Sequence, residues 1–263
     1  MSSSTMIAPF AVHQATTDIE KQIEFYKGIE FVVDDGWEPV EAIPETYWEA
    51  RGMSGKDLKR TVAMKLPADP YMHLVLYEWS NLKTTPGWPC QFNQIGSRGI
   101  SLLVEDVAAE LSRIRKDWPQ IRILQDPISI RRKWGHTTSA LVLDPEHVFL
   151  ELISIEKGSS FDPSNVKAPT SCDRVWLHFM HMCTNFHITE PFYKSFGMEH
   201  DHGVDFRPKS GFHPFSFEHF NQQMKDAFGY DMTLRPSSGP TVSFLRTERD
   251  CSQMHIELHC VQN

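Results

Sequence analysis

The residues of this sequence best suited to chemistry are histidines and a carboxylate in two strand-like segments, 173–181 and 254–259. In the second segment His255, Glu257 and His259 share one face, because side chains alternate between the two faces of a strand. Two imidazoles and a carboxylate are costly to bury without compensation, and a divalent cation is one group that compensates them. A solvent-exposed face is the other interpretation.

Composition limits the class of protein. A chain of 263 residues with 40% hydrophobic content is long enough for one large domain or two ordinary ones. Its net charge of -8 leaves no basic face to bind phosphates, which argues against nucleic-acid partners. The 5 cysteines are odd in number and lack any CxxC pair, which indicates a reducing compartment. With no signal-peptide pattern and no apolar run of membrane-spanning length, we expect a soluble cytoplasmic protein without membrane contact.

Three stretches repeat one order of elements: a strand, a helix and three further strands. In the first stretch, strands are predicted at 10–16, 29–33, 61–66 and 73–79. A helix is predicted from residue 19, behind the capping residue Asp18, and a loop or short helix over 34–60. In the second stretch, strands are predicted at 99–104, 121–124, 138–143 and 148–153, and a helix at 107–116. In the third stretch, strands are predicted at 175–183, 198–202, 241–246 and 254–261. A helix is predicted at 188–197, with Pro191 in its first turn.

A polar segment with two prolines, 157–171, separates the second stretch from the third and predicts a linker. We therefore expect an N-terminal pair of units over 7–156 and a third unit over 172–263. The first and third units also share letters, since Phe25-Tyr26-Lys27 and Phe192-Tyr193-Lys194 each follow a strand at the same distance. This similarity indicates internal duplication.

The ordered set resembles the vicinal oxygen chelate superfamily, which includes glyoxalase I, methylmalonyl-CoA epimerase, fosfomycin and bleomycin resistance proteins and extradiol ring-cleaving dioxygenases. The resemblance rests on the order of elements, the Phe-Tyr pairs, the Asp144-Pro145 turn, and last strands reading Leu-Glu151-Leu and Ile-Glu257-Leu. It covers nearly all of 7–155 and 172–263. It implies an α+β fold of repeated βαβββ modules that form cupped mixed sheets (glyoxalase-like), with three modules visible here.

In this family two modules pair into a cupped sheet, and a metal in the cup is held by residues of first and last strands. Carrying these positions across gives His178 and Glu257 in the third module as candidate metal ligands. The corresponding pairs are Gly99 and Glu151 in the second module, and Ala11 and Val75 in the first. The resemblance therefore implies a divalent metal in the third module, with Fe, Zn, Mn, Ni and Mg all compatible, and a degenerate site in the N-terminal pair.

Glu151 is not expected to bind a metal, because Gly99 occupies the position of its histidine partner. His13 and His73 lie on the inward face of the first module and are expected to line a substrate pocket.

Two protein ligands are fewer than zinc or iron normally has. Three completions stay open. A second copy in a homodimer could supply the same pair across a two-fold axis. His255 or His259 could coordinate directly. The site could also be incomplete because the family's fourth module is missing from this chain.

The resemblance implies a metal-dependent isomerase or lyase that acts on a small oxygenated substrate through an enolate-like intermediate. Glu257 is then the candidate base, with His255 or His259 as a proton shuttle, because imidazole titrates near neutral pH. One alternative is an extradiol ring-cleaving dioxygenase that uses Fe(II). The other is a non-catalytic small-molecule binding protein on a degenerate glyoxalase-like fold.

Overall fold

The computed structural model describes residues 10–36, 43–83, 94–132, 135–155, 175–200, 241–247 and 254–260. These residues form three βαβββ modules, as the sequence predicted. The first module comprises β1 (Ala11–Thr16), α1 (Ile19–Gly28), β2 (Val32–Val33), α2 (Glu45–Glu49), β3 (Leu58–Leu66) and β4 (Asp69–Trp79). The second comprises β5 (Gly96–Leu103), α3 (Val107–Asp117), β6 (Ile123–Arg132), β7 (Gly135–Leu143) and β8 (Phe149–Ile155). The third comprises β9 (Val175–Cys183), α4 (Phe186–Lys194), β10 (Glu199–His200), β11 (Thr241–Arg246) and β12 (His255–Cys260).

The module helices begin where a short polar side chain caps them. Asp18, Asp106 and Asn185 each accept a hydrogen bond from a backbone N–H in the first turn of α1, α3 and α4. The predicted start of α4 was wrong, because Asn185 starts the helix at Phe186 and leaves Pro191 inside it. A strong N-cap therefore outweighs the preference of proline for a first turn. None of the helices in the described ranges is long and apolar enough to cross a membrane.

The modules form two sheets of different size. The first module forms a four-stranded sheet in the order β1-β4-β3-β2. The second and third share an eight-stranded sheet in the order β10-β11-β12-β9-β5-β8-β7-β6. Its junction is the antiparallel pair β5 and β9, the first strands of their modules, with Ile100 opposite Phe179 and Ser101 opposite His178. The predicted fold class is thereby confirmed, while the linker boundary over 157–171 lies outside the described residues and stays a prediction.

One apolar core joins the first module to the second and third. Residues of both sheets and of the two long helices meet in it, among them Phe25, Leu74, Leu111, Leu150 and Trp176. Burial of this apolar surface is the main stabilising contribution to the contact between the sheets.

A buried polar link crosses the same contact. Asp144, in the turn predicted between β7 and β8, is 1% exposed and accepts hydrogen bonds from Gln14 Nε2 at 2.6 Å and Tyr26 Oη at 2.9 Å. Burial raises the pKa of the Asp144 carboxyl, against the opposing effect of these hydrogen bonds. The link fixes the orientation of β1 and α1 relative to the eight-stranded sheet.

Candidate metal centre

Three side chains from three strands converge on one face of the eight-stranded sheet. They are Glu151 from β8, His178 from β9 and Glu257 from β12, and one ligand atom of each lies within 4.8 Å of the other two. His178 Nε2 lies 3.0 Å from Glu151 Oε2 and 2.9 Å from Glu257 Oε2. We call these three residues the triad.

Strand register explains the convergence. β12 runs parallel to β9 with His255 opposite His178, so Glu257, two residues further on, projects from the same face as His178. β8 is separated from β9 by β5, on which Ser101 lies opposite both Glu151 and His178. The Glu151 and His178 side chains therefore meet above Ser101, across about two strand spacings of ~4.8 Å each.

Small residues on β5 form the floor of this site. The Ser101 hydroxyl is fully buried and has no hydrogen-bond partner among the described residues. At Gly99, where the sequence resemblance placed a further ligand position, an added Cβ would lie 1.9 Å from the backbone oxygen of Phe149. The close approach of β8 therefore excludes a side chain at position 99, and position 99 supplies no ligand to this corner of the site.

The triad is held together electrostatically. Burial lowers the pKa of His178, but the charge of Glu257 and hydrogen bonds to Glu151 and Glu257 outweigh it and raise the pKa to about 10. Burial raises the pKa of Glu257, but the nearby charges of His178 and His259 hold it well below its usual range. In the metal-free protein His178 is therefore an imidazolium between two carboxylates at neutral pH.

The donor set fits a divalent metal ion. One imidazole nitrogen and two carboxylate oxygens are ligands that zinc, iron, manganese and nickel accept, and three protein ligands are usual in catalytic sites. The buried, unpartnered Ser101 hydroxyl is the kind of group that an ion or its water satisfies. His259 Nε2 lies 3.1 Å from Glu257 Oε2, in the position of a residue that orients a ligand.

The structure gives Glu151 a place in the site that the sequence interpretation did not. Its partner is not the glycine of its own module but His178 of the next one. The donor set is thus completed within one chain, without a second copy. The signal in the sequence was that Leu-Glu151-Leu matches Ile-Glu257-Leu.

The other predicted site residues lie around or away from the triad. His255 is 5% exposed, lies opposite His178 on β12 and packs near Phe244, whose ring also contacts that of His178. It is not one of the three residues whose ligand atoms cluster. His259 contacts Glu257 rather than joining the cluster. The catalytic roles predicted for His255, His259 and Glu257 stay predictions.

The two histidines of the first module lie on its four-stranded sheet. His13 Nδ1 lies 2.7 Å from the hydroxyl of Tyr77, and His13 lines a cavity of about 310 Å³ beside β1. His73 is buried and its Nε2 lies 2.9 Å from Asp34 Oδ2. The equivalent ligand position Val75 belongs to an apolar cluster with Trp48, Ala63, Tyr77 and Trp79.

Comparison with known proteins places the fold. No protein-family model and no curated protein matches the sequence. Glyoxalase I from Zea mays is similar in structure, at 14% identity over 97% of this chain and 68% of that chain, with a TM-score of 0.57. A mutant of that enzyme gives a TM-score of 0.56 at 13% identity, over 99% of this chain and 70% of that chain. A glyoxalase family protein from Bacillus cereus gives 0.48 at 15% identity, over 59% of this chain and 98% of that chain.

Identities this low establish the fold and not the reaction. The order of modules, the mixed sheets and the structural similarity agree, and the chain has a glyoxalase-like fold.

Proposed function

We propose that this protein is a metal-dependent enzyme of the isomerase or lyase type, acting on a small molecule with two neighbouring oxygens. The observation that carries the proposal is the convergence of Glu151, His178 and Glu257 within 4.8 Å from three strands. A divalent ion bound there would supply Lewis acidity that polarises a substrate carbonyl.

The two carboxylates have different surroundings and suit different tasks. Glu257 contacts both His178 and His259, which hold it in place as a ligand. Glu151 contacts His178, and its side chain is 19% exposed, compared with 12% for Glu257. Glu151 is therefore the better candidate to take and return a proton beside a bound substrate, with Glu257 as the fixed ligand.

Ring cleavage with Fe(II) draws no support from this donor set. The facial triad of such iron oxygenases has two histidines and one carboxylate, whereas the cluster described here has one histidine and two carboxylates. An activity assay on metal-loaded protein distinguishes an enzyme from a non-catalytic binding protein.

The test begins with the metal. Chelator-treated protein is reloaded separately with Mn²⁺, Zn²⁺, Ni²⁺, Fe²⁺ and Mg²⁺, and its metal content and affinity are measured. We expect one ion per chain and at least about tenfold weaker binding in Glu151→Gln and Glu257→Gln. Exposed Glu199 in β10 of the same sheet provides the matched control Glu199→Gln, which should bind normally.

Activity is then assayed on metal-loaded protein, starting with the glyoxalase I reaction because that enzyme shares the fold. Equal metal affinity in all three variants, or no stoichiometric metal, refutes the proposal. Stoichiometric metal and ligand binding without turnover across oxygenated substrates would identify a binding protein instead.

A further inference from the structure

We propose that the cavity of about 310 Å³ beside β1 binds a small amphipathic carboxylate, a molecule with one carboxylate group and an apolar body. The cavity lies between the first module and the eight-stranded sheet, since β1, β5, the turn between β7 and β8, and β9 all contribute to its lining. Its volume is at the lower end of the range for small-molecule sites, roughly 300 to 1,000 Å³. This site is separate from the triad, and the proposal does not depend on the proposed function.

The cavity and the triad lie on opposite faces of the eight-stranded sheet. Ser101 and His178 lie opposite each other on the face of the triad, and Ile100 and Phe179 are their neighbours in sequence. Neighbouring residues of a strand project from opposite faces. Ile100 and Phe179 line the cavity and pack in or against the apolar core, so a ligand held there does not reach the metal ligands.

Most of the lining is apolar, and this determines the body of the ligand. Residues with apolar side chains come from all three modules, namely Val12 and Leu82 from the first, Ile100 and Val148 from the second, and Phe179 from the third. An apolar chain or ring gains free energy when it leaves water for such a wall. A molecule that is polar throughout would lose hydrogen bonds to water there without replacing them.

Arg98 supplies the charge that selects an anionic head group. It is 8% exposed and lines the cavity. Its Nε donates to the Gln94 carbonyl at 2.7 Å, its Nη1 donates to the Ser97 carbonyl at 3.0 Å, and its Nη2 donates to the Ile95 carbonyl. These carbonyl groups hold the guanidinium in place but carry no formal charge that would neutralise it. Burial and, after it, the charge of Arg98 lower the pKa of His181, which shows that this charge acts on its surroundings.

Two further residues of the lining favour the same head group. Lys83, which is exposed, adds a second positive charge. His13 Nδ1 lies 2.7 Å from the Tyr77 hydroxyl, so Nε2 is the nitrogen of His13 that can contact a ligand. Burial and the charge of Arg51 lower the pKa of His13, so the neutral imidazole offers a hydrogen bond rather than a charge.

Glu146 is the one carboxylate among the described residues of the lining, and it is already engaged. Its Oε1 accepts hydrogen bonds from Thr16 Oγ1 at 2.7 Å, the Thr17 N–H at 2.6 Å and Thr17 Oγ1 at 2.8 Å. These bonds connect the turn between β7 and β8 to the end of β1. The lining therefore carries two formal positive charges and one negative charge, which favours an anion, and a guanidinium pairs with a carboxylate through two parallel hydrogen bonds.

Isothermal titration of chelator-treated protein with octanoate and with 1-octanol tests the ligand class. The two probes share an eight-carbon chain and differ in the charge of the head group. We expect one octanoate per chain, bound at least about tenfold more tightly than 1-octanol. In Arg98→Met this preference should fall below about threefold, while 1-octanol binds as it does to the wild type. Retained binding of 1-octanol also shows that the variant is folded.

A second pair of variants tests the location. Ala15 is exposed on β1 and lines the cavity, so Ala15→Phe should fill part of it and weaken octanoate binding at least about tenfold. Ala109, exposed on α3 and outside the lining, provides the matched control Ala109→Phe, which should bind normally. If Arg98→Met does not fold, the preference of the wild type for octanoate and this pair of variants decide.

Three results would overturn the proposal: no saturable binding of octanoate, equal affinity for octanoate and 1-octanol, or equal octanoate affinity in Ala15→Phe and Ala109→Phe. Binding of octanoate that requires metal loading would also overturn it, because the carboxylate would then lie on the ion of the triad. Failure of the triad to bind metal leaves all of these outcomes unchanged, so the two proposals are tested separately.

Discussion

Metal binding to this protein should release one proton, and His178 is its source. The imidazole must be neutral to coordinate a metal ion, whereas the neighbouring carboxylates raise the pKa of His178 to about 10 in the metal-free protein. Glu257 releases nothing at neutral pH, because its pKa is held below the usual range.

The number of protons released follows from the difference between this pKa and the pH of the measurement. At pH 7.5 a group with a pKa of about 10 is more than about 99% protonated. Loading one ion therefore releases about one proton, and the apparent association constant should rise about tenfold per pH unit between pH 7 and 9.

Isothermal titration with Mn²⁺ at pH 7.5, in two buffers of different ionisation enthalpy, measures the released protons as the slope of observed against buffer enthalpy. We expect a slope near one for the wild type and near zero for His178→Gln, which retains the size of the side chain without a titratable imidazole. A slope below about 0.3 with tight, stoichiometric binding would refute the reasoning. His178 would then be neutral before the metal arrives, and the ion pairs with Glu151 and Glu257 would not hold it in place.

Three further predictions concern stability, measured by urea unfolding. The pKa of His178 is raised in the folded state, so its stabilisation of the metal-free protein is full below about pH 6.5 and lost as pH rises through about 10. The urea midpoint should fall between pH 7 and 10, and this component of the decline should be absent in His178→Gln. Gly99→Ala should cost about 2 kcal/mol or more, because its Cβ meets the Phe149 carbonyl of β8. Gly28→Ala, whose Cβ meets the Trp118 side chain at 3.3 Å, should cost much less, and equal costs would contradict the account of the site floor. Tyr26→Phe removes the hydrogen bond to buried Asp144 and should cost about 1 to 2 kcal/mol, whereas Tyr71→Phe at an exposed position should be nearly neutral.

The order of elements was predictable because each signal is local. The cap at Asp18 predicted the start of α1, and the period of two in apolar residues predicted the strands. Asp106 and Asn185 cap α3 and α4 in the same way, but these caps were not identified from the sequence, and the start of α4 was placed two residues too late. β6 was predicted over 121–124 but extends over Ile123–Arg132, through Pro127. It lies at the sheet edge, where a missing N–H is tolerated.

The predicted strand 29–33 is reduced to Val32–Val33 for a different reason. Ile29 and Phe31 are each 1% exposed in the apolar core, and Glu30 between them has a φ of 76°. The chain leaves α1 through a tight turn that buries both apolar residues, so the apolar pattern there reflects core packing rather than strand pairing.

The candidate site was less predictable because it lies between modules. His178 and Glu257 follow from the third module alone, since β9 and β12 are neighbours within it. Glu151 joins them through the pairing of β5 with β9, which no local pattern specifies. The sequence prediction paired ligand positions only within a module. It therefore excluded Glu151, whose partner His178 lies 27 residues away in the next module.

Because the triad lies between two modules, metal binding should affect the junction of those modules as well as the site. Without metal, an imidazolium between two carboxylates leaves the buried triad with a net charge of about -1, and burial of uncompensated charge is unfavourable. A divalent ion that displaces the His178 proton brings the same groups to about zero. Glu151 and Glu257 come from different modules that meet at β5 and β9, so neutralisation stabilises the junction of the eight-stranded sheet as well as the site. Metal binding should therefore stabilise the sheet against unfolding by about 2.7 kcal/mol at an ion concentration of 100 times Kd. It should also slow backbone amide exchange along β5 and β9 more than in the four-stranded sheet, and uniform protection of both sheets would show that the ion acts on global stability alone.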